Sequence, residues 1–549
     1  MLFQGIFVLL FHNAKRGLLC GGSLILLVGI ANYIVCQIRG YGIVFKDLYA
    51  LSTAATVAGK YRVHWSLFLT LALGVSAVSM AVVYFLLPSA EKSEQSIKKN
   101  LAYLAGSVIC IGSLVGCVRS DLFMEGAQDL YWDQQIGIRE CGYPMYFAAN
   151  VGISKVAAPE GYTKELAEQI LDRYQSKSTQ KTSATTPNVI VIMNESFSDL
   201  RVLGEFTTNE PVMPFWDSLS DNAVKGYALS SVYGGYTANS EFEFLTGCTK
   251  AFLSGSPYLE YIQQQTPAMP QWLKSMSAVK KVTAMHPYYA SGYNRDRIYP
   301  LLGFDDFLSL DSYQGADKLG NYISDAADYD KIIEQYEKKK EQETYSVFNV
   351  TMQNHSPYTK AWEGDSAVRI TSFKAEEAVD RYLSMMRKSD EALKNLLAYF
   401  QQVEEPTVIV VFGDHQPHFS QAFYYRVMGK IDSQMSQEEI SRKYEVPFLI
   451  WANYDIPEKQ VEHTFLNYLC AEMADATGIQ TSAYQDFLLE LQQKVPALSA
   501  AGAYDEKETF ATKEEITGRY SAELQEYKIV QYYTLFEKDR QEKYYETAS

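Results

Sequence analysis

Two apolar runs that stop abruptly on metal-type ligands constrain this chain more than any other feature. Residues 188 to 195 read Asn-Val-Ile-Val-Ile-Met-Asn-Glu, and residues 407 to 415 read Thr-Val-Ile-Val-Val-Phe-Gly-Asp-His. Each run is short, rich in β-branched side chains and without polar alternation, the pattern of a strand buried on both faces. Such strands belong to sheets covered by helices, and in open α/β sheets ligands collect beyond the carboxyl ends of the strands. The two runs therefore bring Glu195, Asp414 and His415 to one edge. Further apolar runs at 345–352 and 444–452 alternate with the amphipathic stretches Lys331–Glu343 and Asp380–Gln402. The alternation predicts an α/β domain with a central, mostly parallel sheet.

A third element lies between them. Gly234-Gly235-Tyr236-Thr237-Ala238-Asn239-Ser240-Glu241-Phe242 runs from a flexible turn into helical spacing. That places Thr237 at or near a helix amino terminus, where unpaired N–H groups and the helix dipole favour an anion such as phosphate. A threonine at this position is ordinarily an N-cap. Here Ser240 or Asn239 can serve as the cap instead, which leaves the Thr237 hydroxyl for chemistry.

The front of the chain is different. Residues 17–37 and 66–87 are nearly free of charge and long enough to span a bilayer, and 101–118 is a shorter third candidate. Residues 1–11 are apolar but short, and read as the tail of a helix from a longer gene product. Residues 1–118 thus form a transmembrane region of about three spans. Lys46–Lys60 reads as an interfacial amphipathic helix, and 119–187 as a helical connector and linker, with Trp132, Tyr143, Tyr146 and Phe147 suited to a membrane interface. The catalytic domain is expected at 188–549. Basic residues flank the spans on both sides, so charge alone does not orient them. A net charge of −16 and a pI near 5.1 argue against nucleic acid as a partner. Four of the seven cysteines fall in expected spans, which rules out a disulfide framework.

Five segments in order carry a family resemblance: the Glu-Ser after the first strand, Gly234 to Gly247, Tyr293-Asn294-Arg295-Asp296, Gln353-Asn354-His355-Ser356-Pro357-Tyr358, and Gly413-Asp414-His415. The chain resembles the lipoteichoic acid synthase family, membrane-anchored phosphoglycerol transferases of the alkaline phosphatase and sulfatase superfamily. The resemblance implies an extracellular catalytic domain on a multi-pass anchor in the cell membrane, and a C-terminal segment, Leu524–Tyr545, that packs back onto the enzyme. It also implies a metal held by Glu195, Asp414, His415 and the Thr237 oxygen. Mostly oxygen ligands with one imidazole suit Mn²⁺ or Mg²⁺; the resemblance favours Mn²⁺, and Zn²⁺ stays open.

In such an enzyme Thr237 attacks the phosphorus of phosphatidylglycerol, diacylglycerol leaves, and sn-glycerol-1-phosphate passes from the threonine to a glycerophosphate polymer or a glycolipid or glycan acceptor. His355 matches the position for substrate contact and proton transfer, Arg295 the arginine that grips the glycerophosphate, and His286 and Tyr293 further substrate contacts. Some family members carry tryptophan where this chain has Tyr293, and an acidic residue where it has Tyr288, so head-group fit and acceptor are open. The Cys/Ser-x-Pro-x-Arg signature of a formylglycine sulfatase is missing. A phosphoethanolamine transferase is the enzymatic rival. A non-catalytic glycerophosphate-binding surface protein is the other alternative, and it has no need for Thr237.

Overall fold

A computed structural model describes residues 2–39, 43, 65–87, 97–119, 147, 156–178, 186–253, 255–499 and 502–547. Two compact units are present, one of helices before Val156 and one from Val156 to Ser549.

In the first unit, helices α1 (Leu2–Leu10), α2 (Ala14–Arg39), α3 (Leu67–Leu86) and α4 (Ile97–Arg119) follow one another. Two stretches, Ala14–Gln37 and Leu69–Leu86, are long and apolar enough to cross a membrane, each with mean hydropathy 2.1. The expected third span at 101–118 falls inside α4, where Ala102–Ser113 is an apolar stretch among the described side chains. Large apolar side chains such as Leu27, Val75 and Phe85 face outward, as lipid contact requires. The expected interfacial helix at Lys46–Lys60, and Trp132, Tyr143 and Tyr146, lie outside the described residues.

The second unit is built on an eight-stranded sheet: β1 (Asn188–Asn194), β2 (Ala223–Leu229), β3 (Thr283–Met285), β4 (Asp306–Leu308), β5 (Ser346–Val350), β6 (Thr407–Gly413), β7 (Glu445–Ala452) and β8 (Lys459–Phe465), in spatial order β8-β2-β7-β6-β1-β5-β3-β4. Every neighbouring pair is parallel except those made by β7, the 444–452 run of the sequence, which lies antiparallel to both β2 and β6. Residues alternate between two cores. Val189, Val191 and Met193 of β1, with Val408, Val410 and Phe412 of β6, enter one face. Ile190, Ile192, Ile409 and Val411 enter the other. Helices cover both faces, which is why these strands carry no polar alternation.

The helix expected at Lys331–Glu343 is found only in part: the observed helix spans Asp325–Glu337. It starts six residues earlier because Ser324 caps it, its hydroxyl accepting from the Ala327 N–H at 3.2 Å. A long amphipathic helix at Glu377–Phe400 matches the second expected stretch. Lys164–Ser178, in the expected connector, buries Ala167, Ile170, Leu171 and Tyr174 in a third core with Leu488, Tyr527 and Val530. Ser521–Phe536 packs into the same core, so the C-terminal segment does fold back onto the enzyme.

Candidate active site

The sheet order brings the candidate residues together. β6, β1, β5 and β3 are consecutive neighbours and all run parallel. Asp414 and His415 follow β6, Glu195 follows β1, His355 lies five residues past β5, and His286 directly follows β3. Asn194 pairs with Gly413, so Glu195 and Asp414 leave the sheet side by side. The approach demands glycine at 413: a Cβ there would sit 1.9 Å from the Phe197 carbonyl oxygen.

Glu195, Asp414 and His415 each present a ligand atom within 4.8 Å of the others, and all three are buried. The hydrogen bonds sort their atoms into structural and open ones. Asp414 Oδ1 accepts from the backbone N–H groups of Ser196 (2.7 Å) and His415 (2.8 Å). Asp414 Oδ2 is buried yet accepts no hydrogen bond, and His415 Nε2 lies 3.2 Å from it. His415 Nδ1 donates to the Gln416 carbonyl at 2.9 Å, so in the neutral ring Nε2 carries the lone pair, the usual arrangement for a metal ligand. Thr237 Oγ1 completes the group, 3.1 Å from Glu195 Oε2 and 3.4 Å from His415 Nε2.

Electrostatics point the same way. Burial pushes the Asp414 carboxyl up to about 7, and the neighbouring Glu195 charge adds to the rise. Glu195 is also penalised by burial, but His355 and His415, with hydrogen bonds from Ser196 and Thr237, hold it below the usual range. Two buried acids with one open oxygen and one open imidazole nitrogen fit a divalent cation, whose charge removes the mutual repulsion.

Thr237 is the first residue of a helix spanning Thr237–Thr246, and the cap position belongs to Tyr236. Neither Asn239 nor Ser240 caps it, contrary to the sequence expectation. Tyr236 sits in the left-handed region at φ 65° with no side-chain cap hydrogen bond. The Ser240 hydroxyl instead donates to the Asp414 backbone oxygen at 2.6 Å, as Ser230 does at 2.8 Å. The Thr237 helix is thereby bolted to the strand end that carries Asp414 and His415.

The substrate-side residues have distinct environments. His286 is buried and donates from Nδ1 to the Val350 carbonyl at 2.8 Å; burial, then the Arg295 charge, drive its pKa well below normal, so it stays neutral. His355 is half-buried, with Nδ1 at 2.5 Å from the Ser356 carbonyl, which leaves Nε2 free of that contact. Arg295 is 2% exposed. Its partner is Glu241, not Asp296: Nε donates to Glu241 Oε1 at 2.9 Å and Nη2 donates to the same oxygen. Burial alone would lower the Arg295 pKa, and Glu241 more than reverses this. The Tyr293 ring lies against the guanidinium, 5.3 Å from its carbon.

Sequence reasoning gave no role to Ser196 or Glu241, although both stand inside quoted motifs. Ser196 links two ligands, its N–H on Asp414 and its Oγ 2.9 Å from Glu195 Oε1. Among the described residues, four of the eight non-glycines with positive φ are Ser196, Tyr236, Tyr293 and Asn294. Each such conformation costs on the order of 1–3 kcal/mol and persists where surroundings enforce it, commonly at functional sites. Polar identity was visible in the sequence; the backbone twist was not.

Comparison with known proteins agrees with this layout. The sulfatase family matches residues 187–479. A cyclic beta-1,2-glucan modification protein of Rhizobium meliloti is 28% identical over 367 residues, 65% of this chain and 56% of that protein. Lipoteichoic acid synthase 1 of Bacillus subtilis is 22% identical over 357 residues, 62% of this chain and 52% of that one. The chain spans about half the length of the curated relatives it matches. A solved structure of a Streptococcus pyogenes phosphoglycerol transferase in complex with sn-glycerol-1-phosphate shares the fold, with TM-score 0.57 and 23% identity over 68% of this chain and 94% of that one. The family match covers over half of the residues and takes in both ligand-bearing strand ends, and on that ground the chain belongs to the sulfatase family.

Proposed function

We propose that this chain is a metal-dependent phosphoglycerol transferase that moves sn-glycerol-1-phosphate from phosphatidylglycerol to an acceptor hydroxyl, through a covalent intermediate on Thr237. The observation that carries the reading is the Thr237 hydroxyl itself: at a helix amino terminus, 3.1 Å from Glu195 and 3.4 Å from His415. A structural cap would turn toward its own helix. This hydroxyl faces three buried ligands from other elements.

Glu195, Asp414 and His415, with the Thr237 oxygen, would hold the cation, Mn²⁺ by family resemblance, and when bound it would keep the Thr237 oxygen ionised and offset phosphate charge, so that Thr237 enters and leaves each cycle as the alkoxide. Thr237 Oγ forms a bond to phosphorus as the bond to the diacylglycerol oxygen breaks. His355 Nε2 gives that oxygen its proton. An acceptor hydroxyl then returns a proton to His355 and attacks the same phosphorus, and the Thr237 bond breaks. Arg295, neutral His286 and Tyr293 position the glycerophosphate. Two membrane-length helices support a lipid donor drawn from the cell membrane; the family resemblance puts the catalytic unit outside the cell. The glucan-modifying relative supports a glycan acceptor, and the lipoteichoic acid synthase relative a glycerophosphate polymer.

The test is head-group analysis with purified full-length protein, Mn²⁺ and labelled phosphatidylglycerol, run beside labelled phosphatidylethanolamine. Diacylglycerol release from the first lipid, with label trapped on Thr237, is the expected result. Consumption of phosphatidylethanolamine alone identifies the rival transferase, and no turnover of either lipid leaves the binding-protein reading.

A further inference from the structure

We infer that Glu241 is a positioning residue that sets Arg295 for the donor phosphate and indexes that arginine to the nucleophile's own helix; the inference rests on the phosphoglycerol reading above. Thr237 and Glu241 are four residues apart on the helix Thr237–Thr246, and Arg295 and Tyr299 are four apart on the helix Arg295–Leu301. Residues at that spacing share a helix face. The Glu241 side chain, 0% exposed, is where the two helices meet. Its Oε1 accepts from Nε and Nη2 of Arg295, and its Oε2 accepts from the Tyr299 hydroxyl at 2.8 Å.

Both carboxylate oxygens are therefore committed within the protein, and this acid is not a metal ligand in waiting. The arginine is held on several sides: Glu241 takes one edge and the Tyr293 ring lies on a face. Asp296, its sequence neighbour, is occupied with the Arg297 N–H at 2.9 Å. Among the described residues the hydrogen bonds of this guanidinium come from Nε and Nη2, and Nη1 is assigned to the phosphate. A guanidinium immobilised in advance loses little freedom on binding an anion. Without Glu241 it would be a buried, unpaired cation, free to turn and expensive to keep. The left-handed pair Tyr293 (φ 52°) and Asn294 (φ 54°) immediately precedes Arg295.

A purely structural bolt between helices makes different predictions. Full-length protein loaded with Mn²⁺ is assayed for diacylglycerol release across phosphatidylglycerol concentrations, with bound metal and melting temperature measured alongside. Glu241→Gln is expected to raise KM about tenfold or more while metal content stays at the wild-type level. Glu241→Asp recovers part of that loss. Tyr299→Phe, which removes one hydrogen bond and no charge, raises KM by a smaller factor. In an Arg295→Gln background, Glu241→Gln adds no further rise in KM. Unchanged KM in folded Glu241→Gln, or additive losses in the double variant, overturns the inference. Should Glu241→Gln fail to fold, Tyr299→Phe decides: a lower melting temperature with wild-type KM also overturns it. Wild-type protein that releases no diacylglycerol refutes the functional reading instead, and the inference falls with it.

Discussion

Two sets of buried acids in the same unit differ in how their charge is met. Glu241 is enclosed by Arg295 and Tyr299, with both oxygens hydrogen-bonded and the positive charge supplied by the protein. Glu195 and Asp414 are equally buried, yet no lysine or arginine pairs with them among the described residues, and Asp414 Oδ2 is left open. An acid whose counter-charge is covalently part of the chain is a fixture. Acids crowded together with an open oxygen are a receptor for a charge from outside. Burial and residue type are the same in both groups; the donors around them assign the roles.

The contrast breaks first at the hydroxyl between the groups. Thr237→Ala should cut diacylglycerol release by roughly 10⁴–10⁶-fold with the melting temperature little changed, and Thr237→Ser should retain part of the rate. Normal turnover by the alanine variant sinks the covalent route. Next come the open acids: Asp414→Asn or Glu195→Gln should lower metal affinity by more than the roughly 10–100-fold typical of an outer-shell loss, read by elemental analysis, whereas Glu241→Gln keeps its metal. Equal metal loss in all three erases the distinction drawn here. His355→Ala sharpens it, since the rate should fall about 10²–10⁴-fold with metal retained; metal loss would move His355 into the ligand group.

The smallest effect concerns a third buried acid. Asp328 accepts from the Tyr313 hydroxyl and Asn349 amide, but burial pushes its pKa up to about 7. Unfolded, it titrates near about 3.9. Between those values the folded state binds more protons, so stability falls as pH rises through the window. Asp328→Asn should flatten that slope by on the order of 1–3 kcal/mol across the range, as measured by denaturant unfolding at pH 4.5 and 7.5. An unchanged slope shows that the group is ionised in the fold.

The sheet and the ligand group were legible in the sequence because strand ends obey a simple rule: uninterrupted Val and Ile, then a ligand. Glu195, Asp414 and His415 needed no knowledge of contacts. The antiparallel direction of the 445–452 strand was not legible, since a buried strand reads the same either way. The start of the Asp325 helix was missed because Ser324 hides among other polar residues. The partner of Arg295 was not legible either, since Glu241 lies 54 positions away. Local patterns carry burial and periodicity; long-range pairing of charges follows only from the packed helices.

The hydrogen bond from the Ser196 N–H to Asp414 joins residues 218 positions apart. A chain made from its amino end at about 5–20 residues per second spends roughly nine to thirty-five seconds with Thr237 present and Asp414 and His415 not yet synthesised. On the phosphoglycerol reading, the Thr237 hydroxyl has no complete site around it during that interval. A product that ends before residue 414 then stays inert permanently, however well its first half folds. Activity of the proposed kind would be a certificate of completion: no fragment could begin consuming lipid before the strand at 407–413 has joined the one at 188–194.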